Sequence, residues 1–172
     1  MAIISKGTFS LDLFFLKLET ELSEEDRQCA WEFYVELSTR VAVVGKLGDK
    51  EAANFDGELW SESMESLYAF FKECRLIMRR FPVGRIKDPR QEHLGRFIHR
   101  ILENVVRPFL EKWNARFRPW WAKASRGEGS PYELQAGFPE RQEFLADWTA
   151  LRLIMRAASR SLAEQYQLMK LD

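Results

Sequence analysis

One segment of this chain has a hydrophobic period that fits an α-helix and no strand. Between residues 60 and 81, apolar side chains recur at alternating spacings of four and three residues, which aligns them along one side of a helix. Pro82 and Gly84 follow at once and predict the end of that helix. A helix with such a stripe needs other helices to cover it. The stripe consists of Trp60, Met64, Leu67, Phe71, Cys74, Met78 and Phe81.

An earlier segment has the same helical spacing and a clear start. Ser23 is a good N-cap residue, and the acidic residues 24–26 place negative charge where the helix dipole favours it. This helix is predicted to run to Gly45. Its apolar positions are Ala30, Tyr34, Leu37, Val41 and Val44.

Two later segments complete the helical pattern. A third helix is predicted to begin after Asp88-Pro89 and to bend at Pro108, because a proline inside a helix removes a backbone hydrogen bond. A fourth carries an apolar stripe from Phe144 to Met169. Residues 118–139 are predicted to be a long irregular connection between them, and residues 8–18 fit either a short strand or a buried helical turn.

These patterns predict an all-α protein, a bundle of about four long antiparallel helices. Its length suits one domain over residues 1–172. The predicted core consists of Trp31, Tyr34, Leu37, Val41, Leu67, Phe71, Met78, Ile98, Ile101, Val105, Trp148, Leu151 and Met155.

One pentapeptide occurs twice. The sequence RLIMR spans residues 75–79 and again 152–156, a separation of 77 residues, so the two copies share a heptad register. The repeat indicates either a duplicated helical hairpin or two core helices that use similar residues.

The charged residues are sorted along the chain although the net charge is zero. Residues 1–73 carry a formal charge of −8, residues 74–126 carry +10, and residues 127–172 carry −2. The basic block (residues 74–126) holds fourteen cationic side chains, eleven of them arginine, which suits bidentate contacts with carboxylates or phosphates. Such a block either pairs with the acidic first helix inside the fold or binds an acidic protein or a nucleic acid.

The candidate binding residues come from the third helix and the segment that follows it. The two adjacent tryptophans are expected on a loop, with one side chain anchoring it and the other covering a partner or a neighbouring helix. The candidates are Arg96, Arg100, Arg107, Lys112, Arg116, Arg118, Trp120 and Trp121.

No pattern of catalytic or metal-binding residues is visible. Cys29 and Cys74 are expected to be buried free thiols, and His93 and His99 lie on different sides of any helix that contains both. We therefore assign no catalytic residue, cofactor or metal ligand. No apolar run approaches the length of a membrane span, and a cytoplasmic location is expected.

Three stretches resemble small all-helical bacterial proteins of uncharacterised function. They are residues 31–40 (WEFYVELSTR), 66–71 (SLYAFF) and 107–113 (RPFLEKW), so the resemblance covers the first three helices. Such proteins are encoded beside multi-gene defence or signalling systems. The resemblance implies an accessory role and no catalytic residue.

The leading expectation is a non-enzymatic accessory or adaptor subunit of a bacterial multi-protein assembly, in antiphage defence. The alternative is a helical protein that binds nucleic acid through the basic block. A third hypothesis, an enzyme or effector-binding protein whose site is assembled from scattered Arg and Glu, also stays open. A protein partner is expected, and self-association is open.

Overall fold

The computed structural model describes residues 3–5, 10–12, 23–86, 93–169 and 171, and this part of the chain confirms the predicted helical class. Near the N-terminus, β1 (Ile3–Ser5) and β2 (Ser10–Asp12) form a short antiparallel pair. A 3-10 turn covers Val83–Arg85, and a π-helical turn covers Leu102–Val106. The α-helices are α1 (Glu24–Thr39), α2 (Val41–Val44), α3 (Trp60–Arg80), α4 (Leu94–Ile101), α5 (Arg107–Ala124), α6 (Pro131–Ala136) and α7 (Arg141–Tyr166).

The first predicted helix begins as expected but consists of two helices. Ser23 caps α1 through a capping box, in which its hydroxyl accepts from the Asp26 N–H and the Asp26 carboxylate accepts from the Ser23 N–H. Extended backbone at Arg40 (φ −98°, ψ 112°) then separates α1 from α2. This break rotates the following side chains, so Val41 is exposed and the prediction of Val41 as a core residue is wrong.

Helix α3 spans almost the predicted range, but its buried side is rotated at two positions. Phe70 and Ile77 are buried, whereas the predicted core residues Phe71 and Met78 are half-buried at the edge of the core. The reason is that α3 packs against α1, α2, α4 and α5, which together cover a wider face than a two-helix seam does.

The third helical stretch starts later and continues further than predicted. Helix α4 begins at Leu94 with His93 as its N-cap, and the predicted start at Asp88-Pro89 lies outside the described residues. Beyond Pro108 the chain stays helical up to Ala124. The prediction of an irregular connection over 118–139 is therefore wrong, because α5 and α6 occupy most of it.

Helix α7 lies at the centre of the fold, where it packs against α1, α2 and α5. Phe144 near its start contacts six aromatic rings, with ring centres 4.9 Å from Trp113, 5.1 Å from Trp148 and 5.2 Å from Phe117. The helix ends at Tyr166, so Met169 lies beyond it and is exposed. Other predicted core residues are buried: Tyr34, Leu37, Leu67, Ile98, Ile101, Val105, Leu151 and Met155.

Three further predictions concern the two cysteines, Trp31 and membrane-spanning helices. Cys29 and Cys74 are free and buried, as predicted. Trp31, predicted in the core, is only half-buried against it. Among the described residues, no helix combines the length and the apolar character needed to cross a bilayer.

The burial of α3 predicts unequal effects for two neighbouring phenylalanines. Phe70→Ala should lower the free energy of unfolding by about 3–5 kcal/mol, because the ring is fully enclosed. Phe71→Ala should cost only about 1–2 kcal/mol, since that ring is only half-buried at the edge of the core. Urea denaturation followed by circular dichroism measures both values. Equal losses would contradict this orientation of α3.

Candidate functional site

Two of the predicted binding residues on α5 are used inside the fold. The Lys112 Nζ atom lies 2.6 Å from Glu143 Oε1 and 2.7 Å from Asp147 Oδ2, and both carboxylates belong to α7. The buried Asp147 also accepts a hydrogen bond of 3.1 Å from the Trp113 indole N–H. Arg116 pairs with Glu140, just before α7. Two of the candidate cations are therefore paired within the fold, where α5 contacts α7.

The hydrogen bonds of this contact shift the pKa values of its members. Burial of Lys112 opposes its charged form, but its bonds to Asp147 and Glu143 outweigh that effect and raise its pKa. The bond from Lys112 lowers the pKa of the Glu143 carboxyl. Both groups are therefore held in their charged forms. The sequence leaves open whether the basic block pairs with the acidic first helix, but the partners of Lys112 and Arg116 belong to α7 and the turn before it.

The remaining arginines of the third helical stretch have separate surroundings. Arg107 pairs with Glu103 at 2.6 Å, one helical turn away, and its guanidinium lies 5.8 Å from the Phe71 ring centre. Arg96 and Arg100 lie on α4, and each has an interaction partner. None of these three forms a described ion pair with α1.

One ion pair does join the basic block to the acidic first helix. Arg80 at the end of α3 lies 2.6 Å from Glu32 of α1. This pair fits the expectation of internal pairing, but it involves a residue outside the predicted candidate set.

The last turns of α5 carry the other three candidates. Trp120 and Trp121 are on the helix, which corrects the prediction that they lie on a loop. Both are half-buried against the core. Trp121 stacks on Phe117 at 6.0 Å with an angle of 12° between the rings, and Trp120 packs at 5.0 Å against Phe138.

Three cationic residues lie close to these two tryptophans in the sequence. Arg118, Lys123 and Arg126 are exposed and form no ion pair within the ranges that the structure describes. We call these three cations with Trp120 and Trp121 the terminal α5 surface. Of its five members, Arg118, Trp120 and Trp121 belong to the predicted candidates, whereas Lys123 and Arg126 do not.

The most unusual side chain of the structure was not predicted. Arg152, in the middle of α7, is fully buried, with an exposure of 0%. Its Nη2 atom lies 2.6 Å from the Oε2 atom of Glu58, which is itself buried. Its guanidinium also stacks on Phe55, 4.1 Å from the ring centre, and lies 5.6 Å from the ring centre of Trp148. A charged pair in the interior is costly unless both members are held together.

Helix α7 fastens the loop between α2 and α3 through this pair and its neighbours. Arg156, one turn further along α7, donates to the backbone carbonyls of Val44, Lys46 and Asp49. One turn in the other direction, the Trp148 indole N–H donates to the Ala42 carbonyl at 2.8 Å. Three residues spaced by four thus hold α2 and residues 44–58 against α7.

A single amide group secures the end of the same loop. The Gln135 side chain accepts a hydrogen bond of 2.9 Å from the Trp60 N–H and donates one of 2.8 Å to the Glu58 carbonyl. It thereby satisfies the backbone where α3 begins, in place of a side-chain cap. Residues from α6 and α7 therefore determine where α3 starts.

The buried ion pair is not fully satisfied. Glu58 Oε1 and Arg152 Nε are buried without a hydrogen-bond partner in the described structure. Burial lowers the pKa of Arg152, and the charge of Glu58 opposes that shift. Because desolvation offsets much of its Coulombic attraction, this pair serves to fix the loop position more than to add stability.

Arg152 and Arg156 are the first and last residues of the second copy of the repeated pentapeptide. In the first copy, Arg75 and Arg79 are exposed, whereas Arg152 and Arg156 of the second copy bind the loop. The difference arises because the loop before α3 lies against α7 at Arg152 and Arg156, whereas α3 is open to solvent at Arg75 and Arg79. The sequence pattern could not show that difference, since it depends on which helix lies at the centre.

A shallow open groove lies where α1 begins and α7 ends. It is lined by Arg27, Trp31, Leu168, Met169 and three neighbouring polar residues. Across the described residues, no three His, Cys, Asp or Glu side chains come together as metal ligands would.

Comparison of the chain with protein-family models, curated proteins and solved structures gives no match.

The two copies of the pentapeptide provide a matched pair of variants. Arg152→Met should lower the free energy of unfolding by about 3–5 kcal/mol, because it leaves the Glu58 carboxylate buried without its partner. Arg75→Met, at the equivalent exposed position, should change it by less than about 0.5 kcal/mol. Chemical denaturation at low protein concentration measures both.

A double variant separates the ion pair from simple packing. Arg152→Met combined with Glu58→Gln should recover part of the loss, since no unpaired charge then remains. If the double variant is less stable than the sum of the single losses predicts, the charge pairing is not the reason for the effect.

Proposed function

We propose that the protein is a cytoplasmic, non-enzymatic accessory subunit of a bacterial multi-protein assembly, in antiphage defence. In this proposal the terminal α5 surface binds an acidic patch on another subunit. The observation that carries it is the exposed group of Arg118, Lys123 and Arg126 beside two half-buried tryptophans.

The terminal α5 surface has the composition of a protein-binding site. Tryptophan and arginine are the residue types that most often dominate binding energy at interfaces. Trp120 and Trp121 are already held in place by Phe138 and Phe117, so a partner would lose little entropy in ordering them. The cations around them would steer an acidic partner towards the surface.

An acidic protein suits this surface better than a nucleic acid does. Binding of single strands uses open aromatic faces on which bases stack. Here Trp121 stacks on Phe117, which leaves one face of its ring covered. Lys112 and Arg116, which would extend a phosphate path along α5, already neutralise carboxylates of Glu140, Glu143 and Asp147.

We further propose that α1, α3, α5 and α7 act as one antiparallel bundle whose third member bends next to Pro108. Packing of α1 against α3 and α7, and of α5 against α3 and α7, supports the arrangement. The π-helical turn before α5, in which the Arg107 N–H donates to the Leu102 carbonyl, supports the bend. A bundle of this kind would present the end of α5 on a rigid base.

A charge reversal tests the binding surface. Arg118→Glu should abolish binding to the partner subunit, because it reverses the charge beside Trp121. Arg160→Glu, on the exposed side of α7, is the matched control with the same change in net charge. The purified products of the adjacent genes serve as probes, and co-elution in size-exclusion chromatography with light scattering is the measurement.

Two outcomes would contradict the proposal. If none of those proteins co-elutes with the unaltered chain, the accessory role fails. If fluorescence anisotropy instead shows that single-stranded oligonucleotides bind, with affinity falling steeply as salt rises and lost in Arg118→Glu, the surface belongs to a nucleic-acid-binding protein.

A further inference from the structure

The outward face of α3 carries charges of both signs, sorted along the helix. Glu62 and Glu65 lie in its first half, and Lys72, Arg75 and Arg79 lie in its second half. None of these five side chains forms an ion pair within the described part of the chain. The terminal α5 surface is separate from this face, which has no role in the proposed function.

Large apolar side chains lie between these charges. Tyr68 is 51% exposed and Leu76 is 44% exposed, although both belong to a well-packed helix. The Lys72 ammonium lies 4.8 Å from the Tyr68 ring centre, so part of this lysine also covers the aromatic ring. A surface that combines exposed apolar groups with unpaired charges is suited to burial against a complementary surface.

The order of charges along α3 matches its helix dipole, but each half places like charges side by side. Glu62 and Glu65 are three residues apart, and Arg75 and Arg79 are four residues apart, so like charges are neighbours in both halves. A second helix face with the reverse charge order would relieve both repulsions. The α3 helix of a second copy of the chain, placed antiparallel to the first, presents this reverse order of charges.

We propose that the outward face of α3 associates with the same face of a second copy of this chain, with the two helices antiparallel. A two-fold axis through residue 70 places Glu65 level with Arg75 of the second copy. The same axis places Glu62 within one residue, or about 1.5 Å along the helix, of Arg79 of the second copy. One position of the axis thus brings both acidic residues to basic ones.

The proposed dimer is weak and sensitive to salt. Its apolar contribution comes mainly from Tyr68 and Leu76, and its ion pairs lie at the edge of the contact, where solvent screens them. A parallel arrangement would place like charges together, so the charge order selects the antiparallel one.

Complementary charge reversals test the proposal. Among the five charged positions named above, Arg75→Glu/Arg79→Glu leaves Lys72 as the only cation, and Glu62→Arg/Glu65→Arg makes all five cationic. Each variant alone should dissociate at least about tenfold more readily than the unaltered chain, whereas an equimolar mixture of the two should associate. Sedimentation velocity over a concentration series at about 50 mM and about 500 mM salt measures this association.

The control reverses two charges elsewhere. Arg27→Glu/Arg160→Glu alters exposed residues that form no ion pair in the described structure, and it should dimerise as the unaltered chain does. Circular dichroism establishes that each variant is folded. An unaltered chain that stays monomeric at low salt overturns the proposal, as does a mixture that associates no better than its components. Neither result affects the proposed role of the terminal α5 surface.

Discussion

The buried pair of Arg152 and Glu58 is the interaction on which much of this structure depends. It joins the middle of α7 to Glu58, two residues before the start of α3, across 94 positions of sequence. Since an unpaired charge in the interior costs several kcal/mol, any arrangement that separates the two is strongly disfavoured. The pair therefore acts as a constraint on how α3 and the preceding loop sit against α7.

That constraint works because the residues around it are equally specific. Trp148 and Arg156, which lie one turn on either side of Arg152 in α7, donate to backbone carbonyls of α2 and the loop after it. Gln135 accepts and donates hydrogen bonds at the backbone next to Glu58. An irregular loop would otherwise leave such carbonyls without partners when it is covered. The polar side chains of α6 and α7 thus let a loop of fifteen residues, 45–59, lie against the core without becoming helix or strand.

The sequence was a good guide to helices and a poor guide to their surroundings. The start of α1 and the extent of α3 could be predicted because capping and periodicity are local properties. The break at Arg40 and the helical path through Pro119 could not, since tertiary packing overrode local preference in both places. For the same reason, the sequence predicts Lys112 to be a binding residue, although Glu143 and Asp147 of α7 pair with it in the fold.

The sorted charges of the sequence correspond to two different uses in the fold. Where α5 contacts α7, Lys112 and Arg116 pair with nearby carboxylates, and these pairs fix the contact between the two helices. On α3 and at the end of α5, charges remain without partners in the described structure, beside exposed or half-buried aromatic rings. Because exposed charges add little stability, their sorting on these two faces is explained better by binding than by folding. A chain with both faces could join its own copy through α3 and another protein through α5 at the same time.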